Sequence, residues 1–192
     1  MSEAVQEPVK KRDPVATRAR LLASARVAFT QKGYEGAGLR EICRNAGVDQ
    51  ALVKRYFGSK EALFREIFDS GMWMEEVLSV PKEQLGEAIA GFWIDIEKSS
   101  AEFDATMALL RSVGSHQVTS QLRAVVEDQH IDRLAGYIGG RNARQRAALI
   151  ISQIIGIDTS RRVLGVEAMN DKNKETIRNL WASQIQALVD NP

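Results

Sequence analysis

The chain has 192 residues, 44% of them apolar and 27% charged, with a formal net charge of +1. That balance is ordinary for a globular protein, and the length suits one continuous core with a small appended module better than two full domains. Four prolines, few aromatic residues and almost no Val/Thr alternation argue against a sheet and for an all-α fold. The single cysteine, Cys43, cannot form an internal disulfide and fits a reducing cytoplasm. No apolar stretch is long enough to span a bilayer, since "ALIISQIIGI" at 148–157 is about half of what a membrane helix needs.

Charge is distributed unevenly along the chain. Residues 1–60 hold 12 Lys/Arg against 6 Asp/Glu, whereas residues 61–192 hold 14 against 19. The N-terminal third therefore carries +6 and the rest −5, which suggests a polyanion partner for that third alone, because phosphate binding follows local Lys/Arg density. Residues 1–13 (MSEAVQEPVKKRD) read as a disordered basic arm ending in Lys10, Lys11 and Arg12. Asp13 is placed to cap a first helix with Pro14 in its first turn. Leu21, Leu22, Ala25, Ala28 and Phe29 form its apolar face, and Gly33 closes it. A second, short helix at 39–46 turns Leu39, Ile42, Cys43 and Ala46 inward, so Cys43 reads as a small core residue.

Gly47 follows, suited to the left-handed backbone of a tight helix-to-helix turn; Val48 plugs the angle and Asp49 caps what comes next. A third helix at 50–57 buries Val53 and Phe57 and shows Gln50, Leu52, Lys54 and Arg55 on its other side. Two short helices joined through a glycine turn, the second with a polar and cationic outer face, are what reading a DNA major groove requires.

"TRARLLASARVAFTQKGYEGAGLREICRNAGVDQALVKRYFGSKEALFREIF", residues 17–68, resembles the DNA-binding region of TetR/AcrR-type transcriptional regulators. The matching elements are Phe29 to Gly33-Tyr34, Leu39-Arg40-Glu41-Ile42, Ala46-Gly47-Val48, Tyr56-Phe57 and Ser59-Lys60-Glu61-Ala62-Leu63, in order over about fifty residues. The resemblance implies a helix-turn-helix domain at 14–63, with the motif at about 38–57, and a helical ligand-binding and dimerisation domain at 64–192. It implies a cytoplasmic, ligand-responsive repressor that binds an inverted-repeat operator in double-stranded DNA as a homodimer, without a cofactor or catalytic activity. By the same resemblance Arg40, Gln50, Ala51, Leu52, Lys54, Arg55, Tyr56 and Lys60 match DNA-facing positions. Ala37 and Gly38 replace the usual Thr/Ser pair, Ala51 stands where glycine is common, and Lys54 stands where tyrosine is common.

Six further helices are expected, at 60–80, 82–99, 102–113, 117–138, 142–164 and 172–189, nine in all. The eighth, with "AALIISQIIGID", is apolar over most of its circumference, and Ser152 and Gly156 permit close backbone approach. The ninth shows Ile177, Leu180 or Trp181, Gln184 or Ile185, and Leu188 at bundle spacing. Internal burial is one reading; an intersubunit bundle suits two such C-terminal helices better, with Ile150, Ile154, Gly156, Ile157, Ile177, Trp181 and Leu188 as candidate interface residues.

Met72, Trp73, Phe92, Trp93, Phe103 and Met107 cluster in helices four to six, and such adaptable or flat side chains suit either plain core or a pocket for an apolar or aromatic effector. "EDQHID" at 127–132 gathers Glu127, Asp128, His130 and Asp132, with Asp128 and Asp132 on one helical face and His130 off it. No further metal or nucleophile motif accompanies it, so a solvated face is the default over a metal-dependent enzyme. A helical scaffold that binds only protein is the remaining alternative.

Overall fold

A computed structural model of the chain describes residues 13–69, 72–95 and 104–190, and every regular element among them is helical. The basic arm, apart from Asp13, and the candidate pocket residue Phe103 lie outside the described residues. Helix α1 (Pro14–Gly36) starts as the sequence predicts: Asp13 Oδ1 accepts from the amides of Val15 at 2.9 Å and Ala16 at 3.2 Å, with Pro14 in the first turn. The regular helix breaks at Gly33 (φ 65°, ψ −174°), a conformation that only glycine adopts readily. The break lets another part of the chain come close. A Cβ on Gly33 would stand 2.4 Å from the carbonyl oxygen of Arg111.

Next come α2 (Leu39–Ala46), α3 (Ala51–Phe57), α4 (Lys60–Asp69), α5 (Met72–Val77), α6 (Leu85–Asp95), α7 (Ala105–Ser112), α8 (His116–Ala124), α9 (Asp132–Ile138), α10 (Ala143–Asp158) and α11 (Lys174–Asp190). The expected fourth helix is described as α4 and α5 on either side of 70–71, and it stops at Val77, three residues short of the expected end. The expected seventh is α8 and α9 joined by a π-helical segment, Val125–Ile131, and a second π-helical segment, Thr159–Val163, extends α10.

Two apolar cores organise these helices. The first gathers Leu21, Phe29, Tyr34, Ile42, Val53, Leu63, Phe64 and Ile67 from α1–α4, and it is closed by Ala108 of α7 and by Val118 and Leu122 of α8. The N-terminal module thus shares its core with the C-terminal half. The second core packs α5, α6, α9, α10 and α11 around Ile89, Trp93, Leu134, Ile150 and Ile185. Arg146, buried in α10, donates to the carbonyls of Leu188 at 2.8 Å and Val189 at 3.1 Å and to that of Gly139, so one guanidinium meets orphan acceptors at the ends of α11 and α9.

A polar seam joins the module to the rest. The Asp104 amide donates to Thr30 Oγ1 at 3.0 Å, the Tyr34 amide donates to Ser112 Oγ at 2.9 Å, and Arg111 donates to the Thr30 carbonyl. Arg162, past the end of α10, donates to Asp104 Oδ2 at 2.5 Å and to Asp158 Oδ2 at 2.5 Å, and both carboxylates are almost fully enclosed. Such a pair is costly to break, because each partner left alone keeps its desolvation penalty.

Packing corrects part of the expected dimer surface. Ile150, Ile154 and Trp181 are buried inside a single chain, and the Trp181 indole N–H donates to Gln153 Oε1 at 3.0 Å. The reason is that α10 lies among α9, α11 and the π-helical segment, so the protomer itself consumes most of its apolar circumference. Ile157, Ile177 and Leu188 are half-buried, and Gly156 is exposed. What faces outward beside Gly156 is Leu149, 54% exposed, and, on α11, Leu180, 64% exposed.

Candidate nucleic-acid interface and effector cavity

The turn between α2 and α3 is built as its residues dictate. Gly47 takes the left-handed conformation (φ 65°, ψ 41°), its amide donating to the Arg44 carbonyl at 3.1 Å, while the Val48 amide reaches the Cys43 carbonyl at 3.0 Å. Asp49 Oδ1 accepts from the Ala51 amide at 2.7 Å and so opens α3. Gly38 gives α2 no side-chain cap, and Ala37 is core, the consequence of the missing Thr/Ser pair. Cys43 is buried, and burial pushes its thiol above the ordinary range.

On this frame Arg40, Gln50, Ala51, Lys54 and Arg55 are exposed, whereas Leu52 and Tyr56 are half-buried and lean on the module's core. Lys54 and Arg55, both in the last turn of this short helix, make no ion pair among the described residues. Lys60 is differently placed. Its Nζ sits 4.3 Å from the centroid of the Tyr34 ring, burial holds its ammonium below the ordinary lysine range, and Tyr34 itself donates to Glu61 Oε1 at 2.6 Å. Thr17, Arg20 and Arg44 share a concavity with Gly47, Val48 and Asp49 beside the start of α3. The motif's spacing could not reveal Thr17 and Arg20, because α1 brings them in from about thirty residues upstream.

Behind α4 lies a small, partly open cavity of about 60 Å³. Of the residues expected there, Trp73 and Trp93 line it, 5.6 Å apart between ring centroids and nearly perpendicular. Phe92 packs on both tryptophans without lining the cavity, and half-buried Met107 does not line it either. The side chain of Met72 lies outside the described residues. Phe68, Leu109, Leu122, Val126, His130 and Ile155 complete much of the wall, and Ile154, expected at the dimer surface, is part of it. Sequence reasoning missed most of these, yet Leu122, Val126 and His130 recur four apart and were legible as one face.

The segment "EDQHID" is split by its π-helical backbone. Asp128 and Asp132 point to solvent, Arg144 donating to Asp132 Oδ1 at 2.7 Å, while His130 turns inward to within 5.5 Å of the Trp73 ring. A solvated face therefore describes the carboxylates and not the imidazole. Burial pushes His130 below its ordinary range, so it is neutral near pH 7, and its Nδ1 has no hydrogen-bond partner among the described residues. Among the described residues no three His, Cys, Asp or Glu side chains gather as a metal site, and no helix is long and apolar enough to cross a membrane.

The cavity and the recognition helix are physically connected. Phe68, in the cavity wall, packs on Phe64 at 4.8 Å; Phe64 meets Phe29 at 4.8 Å and Tyr34 at 5.3 Å, and Tyr34 carries Lys60 at the start of α4, three residues after α3 ends.

Comparison with known proteins agrees with this architecture. The family described as "Bacterial regulatory proteins, tetR family" matches residues 21–67, and "Tetracyclin repressor-like, C-terminal domain" matches residues 83–189. The chain therefore belongs to the TetR family of helix-turn-helix transcriptional regulators, which are DNA-binding proteins and not enzymes. It is 34% identical over 84 residues to the HTH-type transcriptional repressor SCO4008 of Streptomyces coelicolor, covering 44% of this chain and 42% of that protein. It is 33% identical over 86 residues to the repressor AcnR of Corynebacterium glutamicum, covering 44% and 45%. The chain thus matches under half the length of these curated relatives. In fold it is similar to the TetR-family regulator SCO0857 of Streptomyces coelicolor, with TM-score 0.63 and 23% identity over 95% of this chain and 99% of that one. It is also similar to FadR of Bacillus subtilis in complex with stearoyl-CoA, with TM-score 0.64 and 14% identity over 90% and 98%.

Proposed function

We propose that the protein is a homodimeric transcriptional repressor that places two copies of α3 in successive major grooves of an inverted-repeat operator and is released by an apolar or aromatic effector. The observation that carries the DNA-binding part is α3 itself, an exposed helix held by a capped glycine turn, with Gln50, Lys54 and Arg55 outward. An α-helix fits the major groove, Arg and Lys pair best with guanine, and Gln pairs best with adenine. Arg40, Ala51, Leu52, Tyr56 and Lys60 flank the groove contacts, and Arg20, Arg44 and Thr17 add a polar rim suited to a phosphate. Residues 1–12 add sequence-independent affinity through Lys10, Lys11 and Arg12, so their removal flattens the salt dependence of binding to every duplex. The 14–63 module reads DNA, and 64–192 dimerises and binds the effector. Such a role belongs in the cytoplasm, with the operator.

Dimerisation runs through the outward faces of α10 and α11 around Leu149, Gly156 and Leu180, with Ile157, Ile177 and Leu188 at its margin. The effector enters the cavity beside Trp73 and Trp93 and moves α4 through Phe68 and Phe64. A small tilt there changes the separation of the two α3 helices and takes them out of register with the grooves. The effector does this only by binding the DNA-free arrangement better, and a tenfold preference corresponds to about 1.4 kcal/mol. Selection of binding sites from random duplexes tests the reading. An inverted repeat with half-sites about one helical turn, ~34 Å, or a multiple apart supports it; no enriched sequence at low salt overturns it.

A further inference from the structure

We propose that His130 is the polar anchor of the cavity and that the effector is an apolar, ring-bearing molecule with one uncharged hydroxyl, a phenol or a similar alcohol, that meets His130 Nδ1. The inference rests on the cavity being the effector site. The described wall is aromatic and branched aliphatic, and its polar side-chain groups are His130, Thr106 and the indole N–H of Trp73 and Trp93. The π-helical backbone of Val125–Ile131 is what turns the imidazole inward, and π-helical turns of this kind recur at functional sites.

Three points select a hydroxyl. First, Nδ1 is enclosed and without a hydrogen-bond partner among the described residues, and an unmade bond at such an atom is costly. Second, an imidazole kept neutral by burial presents Nδ1 as an acceptor in one tautomer and a donor in the other; a hydroxyl matches both, whereas an ether or a ketone matches one. Third, the described wall holds no Lys or Arg, so a carboxylate would enter without a permanent counter-charge. The ring system belongs against Trp73 and Trp93, whose perpendicular faces present both a stacking surface and an edge.

The test uses the full-length protein and three probes of one shape: 1-naphthol, 1-methylnaphthalene and 1-naphthoate. Binding is followed by tryptophan fluorescence, and the Nδ1 of His130 by its ¹⁵N shift, only His116 being present besides. The expected result is that 1-naphthol binds about tenfold more tightly than 1-methylnaphthalene and alone moves the Nδ1 resonance. His130→Phe then brings the ratio below about twofold while leaving 1-methylnaphthalene unchanged. If 1-naphthol and 1-methylnaphthalene bind alike and Nδ1 does not move, the anchor is wrong and the cavity reading survives. Tightest binding by 1-naphthoate overturns the uncharged class. Failure of all three to bind overturns the proposal and the cavity reading together. The shift is measured on the unmodified protein, so the test holds even where His130→Phe fails to fold.

Discussion

The face around α3 and the cavity behind α4 serve one chain with opposite materials. The face takes its exposed Arg40, Gln50, Lys54 and Arg55 from two adjacent short helices and the turn between them, and the shape of that turn sets their placing. The cavity takes its wall from α4, α5, α6, α7, α8, the π-helical segment and α10, residues 68 to 155. A site that must read a polyanion can stay local and wet, because its partner brings the complementary charge. A site that must enclose an apolar molecule needs distant elements to exclude water on all sides. The two meet where the module's core borrows Ala108, Val118 and Leu122 from the regulatory half.

Breaking the dimer separates the two regions most sharply. Leu180→Glu lies on an exposed position, so folding changes by less than about 0.5 kcal/mol, but paired engagement of half-sites is lost. Affinity for the selected inverted repeat should fall on the order of 10²–10⁴-fold with the protein monomeric in sedimentation. A Leu180→Glu protein that stays dimeric puts the interface elsewhere.

Next in size is the seam. Arg162→Met leaves Asp104 and Asp158 without their guanidinium, and unfolding in urea should show a loss of about 3–5 kcal/mol. Because one core spans both regions, a single transition is expected; two separated transitions would mean that the module folds alone. Gly33→Ala attacks the same seam from the other side. It forces a side chain into a left-handed conformation and against the Arg111 backbone, for about 2–4 kcal/mol in the same measurement. A loss below about 1 kcal/mol would mean that α7 can give way.

Smaller effects sharpen the recognition face. Alanine at Gln50 or Lys54 should relax preference at particular base pairs by about 1–3 kcal/mol in competition binding. Lys60→Ala should weaken all duplexes alike and lower the salt slope by about one, as expected of a phosphate contact made from the start of α4, where Lys60 is seated on Tyr34. A base-specific change for Lys60→Ala would reverse that assignment.

The uneven legibility of the two regions has the same physical origin. Asp13, Gly47 and Asp49 act on neighbours two to four residues away, so their roles follow from sequence spacing, and α2 fell where its pattern put it. Lys60 was legible as a DNA-facing position only through the resemblance, and nothing local announces Tyr34, twenty-six residues earlier, beneath it. Helix α10 looked like an interface because an apolar circumference does not say who covers it; here α9, α11 and the π-helical segment do, for Ile150 and Ile154. Met107 and Phe92 have the right chemistry for the cavity but sit off its wall. His130 has the right position, and its acidic neighbours concealed it.

The claim that the cavity governs the recognition helices is tested most directly by measuring affinity for the selected inverted repeat with and without a probe occupying the cavity, occupancy being followed by tryptophan fluorescence. At full occupancy the dissociation constant should rise at least about tenfold, the equivalent of about 1.4 kcal/mol, and by reciprocity the probe should bind the DNA complex more weakly than the free dimer by the same factor. An unchanged dissociation constant at full occupancy would contradict it.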